Sequence, residues 1–311
     1  MKPEILQVGP MMPHVEAALN EAYTVHRYWE AEDKPGLLAR IAPQVRAMAT
    51  NGSAPRALIE ALPQLAVISS FGVGYDGVDA DACRKRGVRL TNTPDVLNDA
   101  VAEVTLGLMI ALCRRIPQAD AYVRAGKWVE KGSFPLTAEL TGARVGILGL
   151  GRIGKEIARR CQAFKMRVAY HGRREQPYEP YEYYSDLTNM ARDVDWLVVI
   201  APGSAETRGI VSRQVMAALG PQGCLVNVAR GSLIDEPAMV EMLQSGALGG
   251  AALDVFADEP RVPEALFALE NVVLAPHQGS ATNKTRIAMG DLVVDNLAAF
   301  FAGAPLLTPV V

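Results

Sequence analysis

The sequence predicts an α/β protein built from two parallel-sheet domains, each with helices on its sheet faces. Short apolar runs alternate with helical patterns over residues 4–91 and again over 145–301, the signature of βα units. Gly149, Gly151 and Gly154 stand between a short apolar run and an amphipathic helix. Between the two halves, residues 98–116 are apolar on nearly every side, so this helix must be buried on nearly every side.

In the first half, residues 4–9, 23–28, 45–50, 65–69 and 88–91 read as strands. Helices are expected at 14–22 after Pro13, around 37–41, at 56–62, and at 78–87 with Gly87 as the cap. Asn51-Gly52-Ser53 is a turn signal. The helix over 98–116 is followed by a more polar one through Ala125, and the arm 117–135 is free to pack on a second subunit. Trp128 and Phe134 are its natural anchors, which predicts a homodimer through the 99–135 region. In the second half, strands are expected at 145–148, 167–170, 196–200, 224–228, 250–254 and 272–274, with helices at 153–163 and 236–245. The last helix, 285–301, is long enough to cross back to the first half. The expected domains are therefore 1–98 with 286–311, which is discontinuous, and 99–285.

Half of the 311 residues are hydrophobic, 21% are charged, and the formal charge is 31 − 34 = −3. That balance gives no basic surplus for a nucleic-acid partner. No apolar run reaches the roughly 18 residues of a membrane span, and the N-terminus lacks an apolar leader. A cytoplasmic protein is expected. Cys83, Cys113, Cys161 and Cys224 are scattered without a C-x-x-C pair, as free thiols in a reducing compartment would be. No His/Cys/Asp cluster has ligand spacing, so no metal is expected.

The glycines at 149, 151 and 154 have the G-x-G-x-x-G spacing of a Rossmann-type dinucleotide site. They serve the tight turn, the approach of backbone to a pyrophosphate, and close packing of helix on strand. The helix N-terminus adds N–H groups and partial positive charge. Three polar residues follow later strands: Arg230 in NVARG, Glu259 in DVFADEP and His277 in APHQGS. Ligands of open α/β sheets bind outside the carboxyl ends of strands, where these three side chains would converge.

This combination resembles the D-isomer-specific 2-hydroxyacid dehydrogenase family, especially its glyoxylate/hydroxypyruvate reductase branch. The likeness covers nearly the whole chain and is strongest in FGVGYDGVD (71–79), NTP with VAE (92–103), LTGARVGILGLGRIG (140–154), NVARGSLIDE (227–236), ALDVFADEP (252–260) and LAPHQGSAT (274–282). It implies a flavodoxin-like substrate domain beside the dinucleotide domain, with the active site between them, and catalytic roles for Arg230, Glu259 and His277. The chemistry agrees. Reducing a 2-oxo acid needs a hydride at C2 and a proton on the carbonyl oxygen, and an imidazole titrating near pH 6.5 suits the latter. A carboxylate at Glu259 would favour the imidazolium and orient it. The planar fork of Arg230 would hold the substrate carboxylate or polarise the carbonyl.

Gly72-Val73-Gly74 can form an anion-binding nest, and the resemblance assigns the substrate carboxylate to Val73 and Gly74. Asn51 and Gly52 are expected to line the same cleft, while the role of Tyr75 stays open. After strand 167–170 the chain has Arg173 and Arg174 where an NAD site places an acidic residue, which predicts NADPH over NADH. By the family pattern, Arg152 and Ile153 meet the pyrophosphate, and Ala201, Pro202 and Thr207 line the adenosine side. Val228, Ala229, Asp254, Thr105 and Gly279 lie toward the nicotinamide, and Asp254 equally suits a strand-end cap. The expected reaction is reduction of glyoxylate, hydroxypyruvate or a similar small 2-oxo acid to the (R)-2-hydroxy acid. The rivals are a bulkier 2-oxo acid such as 2-ketogluconate or hydroxyphenylpyruvate, a formate or phosphite dehydrogenase, and a non-catalytic dinucleotide-sensing interaction protein.

Overall fold

A computed structural model describes residues 2–311, which fall into two compact units: the chain up to Leu97 together with Thr282–Val311, and Asn98–Ala281. In the first unit strands and helices alternate as β1 (Glu4–Gln7), α1 (Pro13–Ala22), β2 (Thr24–Arg27), α2 (Lys34–Ile41), β3 (Val45–Thr50), α3 (Arg56–Glu60), β4 (Val67–Ser70), α4 (Ala80–Arg86) and β5 (Arg89–Thr91). Every strand pair is parallel, in the order β2-β1-β3-β4-β5.

Successive strand residues face opposite sides of this sheet, so both sides carry a core. Leu6, Met48, Ile68 and Leu90 pack with Ile41, Ile59 and Leu62 in one. Ile5, Ala47, Ala49 and Val67 pack in the other with Val15, Leu19 and, from the C-terminal helix, Val293 and Leu297. That helix comes close to α1 at Gly290, where a Cβ would lie 2.4 Å from the Val15 side chain.

The second unit holds α5 (Asn98–Cys113), α6 (Ile116–Arg124), α7 (Lys127–Lys131), β6 (Arg144–Leu148), α8 (Arg152–Ala163), β7 (Arg167–His171), β8 (Glu182–Tyr184), α9 (Leu187–Asp193), β9 (Trp196–Val199), α10 (Arg213–Leu219), β10 (Cys224–Asn227), α11 (Glu236–Ser245), β11 (Gly250–Leu253) and β12 (Val272–Leu274). The C-terminal helix, α12 (Asn283–Phe301), belongs to the first unit. The seven strands are parallel throughout, in the order β12-β11-β10-β9-β6-β7-β8. Strand order therefore reverses between β6 and β9, the point at which such sheets open a crevice for ligand.

One sequence expectation is corrected, and two elements are added. The apolar helix stops at Cys113 instead of running to residue 116, because Arg115 takes a left-handed φ of 50° and Pro117 starts a new helix. The sequence reading places no element between the strands at 167–170 and 196–200, where the structure has β8 and α9. β8 is a three-residue edge strand without apolar alternation, whereas α9 starts at an Asp186 cap whose side chain accepts from the Asn189 N–H.

Cys83, Cys113 and Cys161 are buried, and burial pushes the thiols of Cys161 and Cys224 up to about 12. Among the described residues no helix is long and apolar enough to cross a membrane, and no group of three His, Cys, Asp or Glu side chains could hold a metal ion.

Candidate active site

The glycine turn lies at the carboxyl end of β6, against the end of β9. Gly149 has φ 103°, and a Cβ on it would lie 2.8 Å from the Ala201 backbone. Gly154 is pressed on the turn itself, with a Cβ position 2.2 Å from the Gly149 carbonyl oxygen. Gly151 differs: nothing lies within 4 Å of its Cβ position. Two glycines thus compact the strand–turn–helix junction, and the third leaves a bare opening over it. The first bond of α8 runs from the Lys155 N–H to the Gly151 carbonyl, so the amides ahead of it, Arg152 and Ile153 included, lie outside the helix's own ladder. An uncluttered turn before a helix N-terminus at the point of strand reversal fits a dinucleotide pyrophosphate.

Around this turn, Ala201 is buried and Pro202 exposed. The Thr207 hydroxyl donates to the Pro202 carbonyl at 2.8 Å and accepts from the Ser204 N–H at 2.8 Å, folding the loop after β9. Thr105 is fully buried and donates to the Val101 carbonyl at 2.7 Å, which withdraws it as a donor to an incoming ligand. Arg173 and Arg174 sit on an exposed turn directly after β7.

The three later residues come to one edge of the sheet. The Glu259 Oε2 lies 2.6 Å from the His277 Nδ1, while Oε1 accepts from the Phe256 N–H at 3.0 Å. The side chains are 33% and 49% exposed, and the His277 Nε2 has no partner among the described residues. His277 has a left-handed φ of 50°, unfavourable for a residue with a Cβ by about 1 kcal/mol. Asp254 holds it there. Its carbonyl accepts the His277 N–H at 2.8 Å, and its carboxylate accepts the N–H groups of Gln278 at 2.7 Å and Gly279 at 2.8 Å. Asp254 is only 1% exposed, and burial pushes its carboxyl up against the opposing pull of those two amides and of His277. It thus serves as the strand-end cap.

Arg230 leaves the end of β10 beside the same turn. The next residue, Gly231, lies so close to the Phe256 peptide that a Cβ would fall 1.9 Å from the Phe256 carbonyl carbon. Val228 and Ala229 are buried, and the Arg230 guanidinium donates to the Ala229 carbonyl at 2.7 Å. Asn227, fully buried, shapes this loop: its Oδ1 accepts from the Ala229 N–H at 3.1 Å, and its Nδ2 donates to the Arg230 carbonyl at 2.9 Å. Asn227 escaped the sequence reading. A polar residue closing an apolar strand just before Arg230 was the available signal.

In the first unit, Gly72 has φ 135°, its N–H donates to the Thr93 hydroxyl at 2.9 Å, and its carbonyl accepts from the Thr93 N–H at 2.9 Å. Asn92 donates to the Val73 carbonyl at 2.9 Å. The carbonyls of the loop are tied back, and the Val73 and Gly74 amides have no partner among the described residues. Asn51 is exposed after β3, Gly52 has φ 106°, and Tyr75 packs partly buried against the first unit's core.

Residues 106–279 match the model of the NAD-binding domain of D-isomer-specific 2-hydroxyacid dehydrogenases. A hydroxyphenylpyruvate reductase of Plectranthus scutellarioides is 49% identical over 309 residues, 99% of this chain and 98% of that one. A glyoxylate/hydroxypyruvate reductase of Arabidopsis thaliana is 48% identical with the same coverage. The crystal structure of an NADPH-dependent glyoxylate/hydroxypyruvate reductase from Sinorhizobium meliloti, in complex with NADP and malonate, superposes with a TM-score of 0.95 at 46% identity, covering 100% of this chain and 97% of that one.

Proposed function

Because the chain belongs to the D-isomer-specific 2-hydroxyacid dehydrogenase family, we propose that it reduces a small 2-oxo acid, glyoxylate or hydroxypyruvate, to the 2-hydroxy acid, of (R) configuration where C2 is chiral, with NADPH. The observation that carries this reading is the His277–Glu259 pair, with Nδ1 engaged by the carboxylate and Nε2 left to an incoming oxygen. When bound, the reduced nicotinamide supplies the hydride. His277 donates a proton from Nε2 to the substrate carbonyl oxygen, and Glu259 holds the ring by Nδ1 so that Nε2 keeps its aim. Arg230 binds the substrate and polarises its carbonyl with the planar fork of its guanidinium.

The Val73 and Gly74 amides take the substrate carboxylate, with Asn51 and Gly52 lining the site, which makes the first unit the substrate-binding domain. In the second, Gly149, Gly151, Arg152, Ile153 and Gly154 hold the pyrophosphate, and Arg173 and Arg174 bind the 2′-phosphate. Val228, Ala229 and Gly279 line the nicotinamide end. The protein works as a homodimer through the 99–135 region, whose Val123, Trp128 and Val129 are 54%, 64% and 94% exposed.

Likeness to the Plectranthus enzyme favours a second reading, a bulkier aromatic 2-oxo acid as substrate. Initial rates with glyoxylate, hydroxypyruvate and hydroxyphenylpyruvate, each with NADPH and NADH, decide between them. The highest kcat/KM is expected for a small acid with NADPH; cofactor binding without turnover of any 2-oxo acid would overturn the enzymatic reading. His277→Ala should lower kcat by about 100-fold or more, and retention of most activity would place the proton donor elsewhere.

A further inference from the structure

Two arginines on an exposed turn discriminate between cofactors only if their backbone is held in register with the pyrophosphate site. The 2′-phosphate stands at a fixed covalent distance from the pyrophosphate, so a loop that drifts loses the contact. The turn after β7 is held in this way. Gln176 donates its N–H to the Tyr170 hydroxyl oxygen at 2.7 Å and its side-chain Nε2 to the Leu150 carbonyl at 2.8 Å. Tyr170 is 1% exposed within β7, and Leu150 stands between the first two glycines of the motif.

Other bonds close the loop on both sides. The Gly149 N–H donates to the His171 carbonyl at 2.9 Å, and the Tyr183 hydroxyl donates to the Gly172 carbonyl at 3.2 Å. Beyond Gln176, the Glu179 N–H donates to the Gln176 carbonyl at 3.0 Å, and its carboxylate pairs with Lys155 in the first turn of α8 at 2.7 Å. Arg173, Arg174 and Glu175 project as an exposed tip from this tethered base.

We propose that Gln176 is a positioning residue for cofactor choice: by binding the Leu150 carbonyl it fixes the arginine turn to the glycine turn, so that one ligand meets both in register. The inference rests on the assignment of Arg173 and Arg174 to the 2′-phosphate and names the residue through which that assignment works. A merely structural bond would support both cofactors equally. This one supports NADPH selectively, because NADH has no group for the arginines to hold.

The test measures dissociation constants of NADPH and NADH by cofactor fluorescence, without turnover. Gln176→Met keeps the side-chain volume and removes the donor; Tyr170→Phe keeps the ring and removes the acceptor of the Gln176 N–H. Each should weaken NADPH by roughly tenfold, the equivalent of a lost hydrogen bond, and NADH by less than about twofold. In an Arg173→Ala/Arg174→Ala background, Gln176→Met should change the NADPH-to-NADH ratio no further, as expected for residues acting as one unit. If the double arginine variant abolishes the preference while Gln176→Met leaves it intact, or weakens both cofactors alike, the positioning role is overturned and the arginine assignment stands. If the double arginine variant leaves the preference intact, the assignment falls and the role of Gln176 falls with it.

Discussion

The backbone of Gly231 occupies a space that a single methyl group would destroy. Its Cβ position is 1.9 Å from the Phe256 carbonyl carbon and 2.1 Å from its oxygen, atoms of backbone that cannot swing aside. The contact fixes Arg230 next to the turn that carries Glu259, and Glu259 in turn binds His277. Gly231→Ala should therefore separate the Arg230 loop from its neighbour. The expected outcome is a loss of about 1–3 kcal/mol in thermal unfolding from overpacking, with kcat/KM for the 2-oxo acid falling well beyond that and NADPH binding retained. Equal losses in substrate and cofactor affinity would show general collapse instead. The Arg230, Glu259 and His277 candidates were legible as polar residues at strand ends. The support beneath them was legible only in part: Asp254 could be read as a strand-end cap, whereas Asn227 acts through backbone groups of a loop whose geometry no local pattern specifies.

Among the elements, α4 shows how chemistry at a helix end becomes pH dependence. The Asp79 side chain accepts the Ala82 N–H at 2.7 Å, and Gly87 closes the helix in the left-handed conformation with φ 67°. The bond from Ala82, followed by the Arg56 charge, holds the Asp79 carboxyl below its ordinary value. A depressed carboxylate contributes stability that is complete above the unfolded value, about 3.9, and is lost as pH falls through the lower folded value. Asp79→Asn keeps a capping oxygen but cannot titrate. The melting temperature of this variant should fall less steeply than that of the parent as pH drops below 4, and parallel curves would refute the assignment. The Gly87 stop was legible because a glycine at a helix end has one dominant use. The end of α5 was misread because composition signals burial but not direction. Arg115 and Pro117 break the axis, while Ile116 between them carries on the apolar composition of the preceding run.

For the molecule as a whole, periodicity revealed both parallel sheets because strands buried on two faces read as continuous apolar runs. It failed at β8, an edge strand of three residues that needs no such run. The arm after α5 is the counterpart on the surface. Trp128, Tyr122 and Phe134 line one shallow hollow there, and Tyr122 meets Phe134 edge to face at 5.4 Å between centroids. Trp128→Ser should shift sedimentation toward the monomer without lowering the melting temperature of an isolated chain; an unchanged profile would remove Trp128 from the contact. Each unit also buries a sulfhydryl inside its own core, Cys83 in the first and Cys161 in the second. An alkylating reagent reaches either one only when the surrounding core opens. The extent of label at each position over time is thus a separate clock for the unfolding of each half of the chain, with no probe to engineer.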